Sequence, residues 1–306
     1  MSRAVLPTRE GVGPSCVSLP AGPWRTIAEF LYERFPAQPQ AQWLQRMASG
    51  AVVDEHGIAV TVQRPYQPHV RVYYYRSLDQ EPRIPFDEVL LYQDAHLAVV
   101  DKPHFLPVMP SGRYLKETVL ARLKRRLGLD DIVPVHRIDR DTAGLVLFSL
   151  DARTRDHYHA LFRQRAVHKT YEAIAPWRSE MQFPLTRESR LEPARHFMQQ
   201  HEVAGVPNAV THLRVLETLG ARARYELRPV TGHRHQLRVH MAALGLPIEG
   251  DGIYPVLTPE TQADYSRPLQ LLARSIAFTD PLSGRPMQFD SERRLTLDPG
   301  LSQPTR

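Results

Sequence analysis

The chain has 306 residues, 42% of them hydrophobic, enough for one large domain beside a small one and for a substantial core. Its net charge of +6 and pI near 9.5 favour an anionic partner, with nucleic acid foremost. The single cysteine, Cys16, excludes a disulfide framework and a thiolate metal site and fits a reducing compartment, the cytoplasm; no apolar stretch is long enough to span a membrane.

In chain order, residues 1–21 read as a flexible tail: "MSRAVLPTREGVGPSCVSLP" is rich in Pro, Gly and Ser and lacks the apolar centre of a signal peptide. In "PWRTIAEFLYERFP", Ile27, Phe30, Leu31 and Phe35 recur at helical spacing, and "AQWLQRMASG" reads as a second helix stopped by Gly50. "AVVDEHGIAVTVQ" reads as two short strands around a turn at Gly57, and "HVRVYYYR" as a further strand. Residues 22–76 thus make a small module whose helices carry Arg25, Arg34 and Arg46. The polar, Pro-containing stretch 77–88 reads as a linker to a larger domain, 89–306.

That domain opens with "VLLYQDAHLAVVDKPHFLPVMPSG", a strand, a turn at Asp94–Ala95, a strand and an irregular Pro-rich loop. "LKETVLARLKRRLGL" predicts an amphipathic helix, with Leu115, Val119, Leu123 and Leu127 on one face and Arg122, Lys124, Arg125 and Arg126, able to meet phosphates, on the other. "AGLVLFSL" predicts a buried strand, "ARTRDHYHALFRQRAV" a helix and "HKTYEAIAP" a strand. From Trp177 to Val206 the chain is Arg-rich and without clear period. "AVTHLRVLETL" and "ARARYELRPV" predict an antiparallel pair, and "TGHRHQLRVHMAALGLP" a turn followed by a helix stopped at Gly245. The expected fold class is α+β, a largely antiparallel mixed sheet with flanking helices.

Two clusters hold ionisable groups, "HRIDRDTAG" and "RPVTGHRHQLRVHM". A kinase catalytic loop would need "HRD" with a following Asn, a Gly-rich loop and "DFG"; a serine hydrolase would need G-x-S-x-G; neither set is present. His233, His235 and His240 do not converge at helical spacing, and there is no H-E-x-x-H, so no metal is expected. There remains a carboxylate paired with a guanidinium. Asp139 sits at a turn before a buried strand, where desolvation would neutralise it unless an arginine kept it ionised and fixed its direction. Arg234 and Arg238, four apart on one helical face, both qualify as that partner. An oriented aspartate serves as nucleophile or base; a structural ion pair is the competing reading.

"HRIDRDTAGLVLFSL" closely resembles the central motif H-R-L-D-x-x-T-S-G-L of the RluA-type pseudouridine synthases. "LAVVDKPHFLPV" resembles the family's first motif, a strand followed by N/D-K-P, and "KTYEAIAP" its K-x-Y-x-A segment. "RPVTGHRHQLRVHMAALGLPIEGDGIYP" resembles R-P-x-T-G-R-x-H-Q-L-R-x-H followed by P-I-x-G-D-x-x-Y, and "LLARSIAFTDPLSG" resembles the C-terminal L-H-A-x-x-L-x-F-x-H-P-x-T-G. Together these stretches span roughly residues 85 to 295 in the family's order.

The resemblance implies isomerisation of uridine in ribosomal or transfer RNA to pseudouridine, with no cofactor and no metal, by a chain expected to act as a monomer. It implies Asp139 as the catalytic carboxylate, Tyr171 as the active-site tyrosine that packs on the target base, and Arg238 as the arginine paired with the aspartate. His136, Arg137, Arg140, Lys102, Arg234 and His235 are expected to contact RNA around them. Ala143, His233, Arg234 and Leu272 depart from the family pattern. Residues 22–76 resemble, more loosely, the αL RNA-binding domain found beside many such synthases. A non-catalytic RNA-binding or RNA-chaperone protein on the same scaffold is the alternative of a different class.

Overall fold

The strand Ala143–Ser149 is buried along its whole length, so it needs partners on both edges and cover on both faces. The computed structural model describes residues 6–76, 81–258 and 264–298, and supplies those partners. The chain divides into two units. One comprises Met1–Pro82, Pro110–Glu117 and Ala121–Asp130; the other comprises Arg83–Met109, Thr118–Leu120 and Asp131–Arg306.

In the first unit, β1 (Ser15–Ser18), β2 (Val52–Asp54) and β3 (Arg71–Tyr74) form an antiparallel sheet in the order β1-β3-β2. Helices α1 (Ile27–Arg34) and α2 (Gln40–Ala48) bury Ile27, Leu31 and Trp43 against Val52 and Val72. Thr26 caps α1, its Oγ1 accepting the Glu29 N–H at 3.2 Å. Several features differ from what the sequence predicts. β1 lies inside the stretch read as a tail. The second strand of the Gly57 turn is reduced to a single bridge between Ala59 and Val53. Arg46 is buried, its guanidinium 5.2 Å from the Trp43 ring, while Arg25 and Arg34 are exposed. Helix α3 (Val119–Leu127) starts later than its apolar spacing predicts. Its basic side chains largely bond their own chain: Arg122 to Glu117, Lys124 to the Asp130 carbonyl, Arg125 to the carbonyls of Glu10 and Lys116.

The second unit is built on one sheet. Its strands are β4 (Val89–Gln93), β5 (Leu97–Lys102), β6 (Val133–Pro134), β7 (Ala143–Ser149), β8 (His168–Pro176), β9 (Leu185–Pro193), β10 (Gln200–Val203), β11 (Ala209–Leu219), β12 (Arg222–Pro229), β13 (Leu271–Thr279) and β14 (Pro286–Asp290). Their order is β10-β9-β11-β12-β8-β13-β7-β5-β4, with β14 beside β13 and β6 beside β7. All pairings are antiparallel except β13 with β7, a parallel seam where Leu272 faces Ala143 and Ala273 faces Gly144. Helices α4 (Arg155–Arg163) and α5 (Gln236–Ala243) complete the unit, and α5 buries Leu237 and Met241 against Ala173, Tyr225 and Leu227. The mixed sheet with few helices is the α+β class that the sequence predicts.

The segment from Trp177 to Val206, read as aperiodic, contains β9 and β10. Several positions of β9 that apolar residues would normally mark are polar and paired instead: Arg187 with Glu202 of β10, and Ser189 with His240 of α5 at 3.0 Å. The usual apolar alternation is therefore absent. Among the described residues, no helix is long and apolar enough to cross a membrane.

Candidate active site

Strand register brings the candidate residues together. Leu227, Tyr171, Ala273, Gly144 and Lys102 fall on one row across β12, β8, β13, β7 and β5. Paired residues of adjacent strands point to the same face. Gly144 allows the seam to close. Its φ is +107°, and a Cβ built there would stand 2.2 Å from the Ala273 carbonyl oxygen. The turn carrying Asp139 enters β7 beside this row.

Lys102, buried, and His104, half-buried, hold that turn. Lys102 is fully buried, and its Nζ donates to the carbonyls of Pro103 at 2.9 Å and Arg140 at 2.8 Å. Burial lowers its pKa to about 7, against the pull of Asp141 and Asp139. His104 Nδ1 meets the Asp141 carbonyl at 2.8 Å; desolvation brings that imidazole down to about 4, so it is neutral and Nδ1 is the donor. Burial by itself would raise the Asp141 carboxyl; Arg140, bonded to it at 2.8 Å, with Arg238 and Lys102, holds it below its usual value.

Arg238 is 2% exposed and faces Asp139, Nη1 to Oδ2, at 3.4 Å. Its two short bonds go elsewhere: Nε and Nη2 donate to the two oxygens of Asp251 at 2.8 and 2.6 Å. Burial opposes the Arg238 charge, but Asp251 and Asp139 more than offset it and its pKa rises above the ordinary value. Asp251, 1% exposed, also accepts the N–H groups of Ile253 and Tyr254, fixing the loop after α5. His235 Nε2 lies 3.7 Å from Asp139 Oδ1, and Nδ1 lies 3.0 Å from the Tyr254 hydroxyl. That hydroxyl accepts the Gln200 N–H at 2.7 Å. With the Tyr254 O–H donating to Nδ1, the neutral imidazole carries its hydrogen on Nε2, facing the carboxylate. Burial lowers the His235 pKa, so the ring is neutral near pH 7. Tyr171 is raised above the ordinary phenol value by burial, and the Asp139 charge adds to the effect, so the phenol is protonated.

Residues 96–243 match the family model described as RNA pseudouridylate synthase. The Dual-specificity RNA pseudouridine synthase RluA of Escherichia coli (strain K12) is 35% identical over 218 residues, covering 69% of this chain and 93% of that protein. The chain belongs to the RluA-type RNA pseudouridine synthases. The RluA of Haemophilus influenzae is 34% identical over 212 residues, covering 66% of this chain and 92% of that protein. In fold, this synthase is similar to a solved structure of human RNA Pseudouridylate Synthase Domain Containing 1, with a TM-score of 0.57 at 21% identity over 70% of this chain and 86% of that one. As a member of the family it is an isomerase.

Nine residues are expected at this site from the sequence, and the synthase distributes them unevenly. Asp139, Tyr171 and Arg238 share one site. Lys102, expected on RNA, is buried beneath the turn as its brace. His136 is likewise internal: Nε2 accepts the Leu147 N–H at 3.2 Å and the ring stacks on Phe162, 4.7 Å between centroids. Desolvation takes it down to about 3, which keeps it a neutral acceptor. His235 is 7% exposed and faces Asp139 in place of the surface. Arg234 is not on α5, because His235 at φ +56° starts the helix one residue later; its guanidinium donates to the Phe197 and Met198 carbonyls. Arg137 is exposed on the turn, and Arg140 is half-buried against Asp141. Asp251 and Tyr254 were not named as site residues from the sequence, although they are the D and Y of the P-I-x-G-D-x-x-Y stretch quoted above, which was the available signal. His233 and His240, weighed above as metal ligands, bond to the Asn208 carbonyl and to Ser189 and Thr211.

Proposed function

We propose that Asp139 is the catalytic carboxylate and that the substrate is a uridine of ribosomal or transfer RNA. One observation carries the reading. A buried guanidinium, fixed by Asp251, faces one oxygen of Asp139 at 3.4 Å while neutral His235 faces the other at 3.7 Å. Both contacts are long, which leaves the carboxylate, 26% exposed, able to engage a reacting group. Isomerisation breaks the bond from ribose C1′ to N1, forms one from C1′ to C5, and moves the C5 proton away as N1 gains one. Asp139 acts on the sugar or the base as nucleophile, or on the ribose as base. Tyr171, held protonated, is suited to packing on the uracil and poorly suited to accepting its C5 proton unaided.

The uridine must leave its stack to reach such a pocket, at a cost of a few kcal/mol. Phosphate contacts from exposed Arg137 at the turn offset part of it. The unit holding β1–β3 adds affinity through exposed Arg25 and Arg34, and one copy of the chain suffices, since every group named belongs to it. The test treats total RNA from a strain lacking the gene with wild type and with Asp139→Asn and maps pseudouridines. Wild type is expected to form new pseudouridine in ribosomal or transfer RNA. The variant should form none while binding RNA as before. Wild-type turnover by Asp139→Asn would remove Asp139 from the role. RNA left unchanged by wild type would favour the non-catalytic RNA-binding reading.

A further inference from the structure

Beside the catalytic row lies a cavity of about 230 Å³ whose lining includes Phe162, Arg165, Lys169, Thr231, Gly232 and His233. Lys169 precedes Tyr171 by two residues on β8, so both side chains rise from the same face of the sheet, roughly 7 Å apart along the strand. The Lys169 ammonium has little to satisfy it. Its one described hydrogen bond, to the Thr231 carbonyl, is 3.4 Å long, and among the described residues no carboxylate stands within ion-pair distance. A desolvated cation without a protein anion is costly unless an anion arrives from outside.

The walls select what can arrive. Gly232 leaves the approach open: a Cβ there would stand 3.8 Å from Lys169 Nζ. His233 is pinned at the rim by its bond to the Asn208 carbonyl at 2.8 Å. Arg165, exposed at φ +57° on the turn after α4, brings a second cation with no described ion pair. The Phe162 ring closes an apolar side and also stacks on His136, which ties the cavity wall to the turn bearing Asp139. Two cations and one apolar wall fit a phosphodiester with its ribose better than a bare base, which would ask for hydrogen-bonding edges.

We propose that this cavity is a backbone subsite that takes one phosphodiester, with its ribose, of a nucleotide flanking the target uridine. The proposal rests on the reading of Asp139 and Tyr171 as the reaction site. Its role is to set the register of the strand, so that the neighbouring nucleotide lies over Tyr171.

The experiment titrates labelled oligouridylate against wild type, Lys169→Met, Lys169→Arg and Arg165→Gln over a range of salt. A second oligouridylate carries uncharged methylphosphonate linkages. Lys169→Met is expected to weaken binding of the charged oligomer about tenfold and to lower the slope of log affinity against log salt by roughly 0.7, the value for one phosphate contact on a single strand. Lys169→Arg should restore most of both, Arg165→Gln should lose part of each, and none should alter binding of the uncharged oligomer. Wild-type slopes in both charge-removing variants, or equal losses on charged and uncharged oligomers, overturn the subsite. If Lys169→Met does not fold, the exposed Arg165 substitution decides between these outcomes. Pseudouridine formation by wild type on total RNA is scored separately, so failure of the site reading and failure of the subsite are distinct results.

Discussion

Asp139 touches Arg238 through one long contact, while the guanidinium's bidentate bond goes to Asp251. Arg238 is thus fixed in direction by Asp251, and under the proposed role of Asp139 the aiming residue is an aspartate that no substrate need touch. Asp251→Asn keeps the size of the side chain and one oxygen for the Ile253 and Tyr254 N–H groups, but removes the charge and one acceptor of the fork. Breaking a buried pair in this way typically costs about 3–5 kcal/mol. A reacting group displaced by about 1 Å can lose on the order of 10²-fold in rate. Asp251→Asn is therefore expected to lower kcat by about that factor while leaving RNA affinity near wild type; Arg238→Met, which removes the group itself, should lower it further. Single-turnover rates and filter binding on the same RNA check this. Wild-type kcat in Asp251→Asn would mean that Arg238 holds its place without it.

At the scale of elements, the seam between β7 and β13 decides the site. It is where two antiparallel stretches of sheet meet in parallel, and only a residue without Cβ fits at Gly144. Gly144→Ala combines a strained backbone, about 1–3 kcal/mol, with overpacking against the Ala273 carbonyl, about 1–3 kcal/mol. A loss of about 3 kcal/mol or more is expected in urea unfolding; a change below about 1 kcal/mol would show that the seam gives way easily. Of the strands around this seam, β5, β7 and β8 were legible in the sequence as apolar or β-rich runs bounded by turns, whereas β13 stood out only as a motif and not as a strand. The motif positions Asp139, Tyr171 and Arg238 were legible as well. What was not legible has physical reasons. β9 and β10 replace apolar alternation with ion pairs and a buried Ser–His contact. The start of α5 carries no capping side chain, only His235 in a left-handed conformation, so Arg234 read as helical. Lys102 read as a surface cation because its sequence neighbours cannot tell that β5 is buried on both faces.

For the whole molecule, desolvated histidines, His240 buried and His104 and His136 half-buried, set an acid limit to stability. Burial holds His104 and His240 down to about 4 and His136 to about 3, against an ordinary 6.5. Between pH 6.5 and about 4 the unfolded chain therefore binds protons at these positions that the folded chain does not. Stability then rises with pH, so it falls as the solution is acidified through this window, by about 1.4 kcal/mol per pH unit for each group. Three such groups together amount to about 4 kcal/mol per unit, a large share of a typical 5–15 kcal/mol. The carboxylates with lowered values, such as Asp54, Asp141 and Asp280, act in the same direction but only below pH 4, the range of their ordinary titration. The two contributions are thus separable by pH. His136→Phe isolates one histidine: it keeps an aromatic face for Phe162 but leaves the Leu147 N–H without its acceptor, a cost of about 1–3 kcal/mol at pH 7.5. On acidification the variant, lacking that titration, should lose stability less steeply than wild type. The gap between them in urea unfolding should narrow by about 1.4 kcal/mol per pH unit from pH 6 to pH 4.5. Parallel curves across that range would mean that His136 takes up its proton as readily in the folded chain as in the unfolded one.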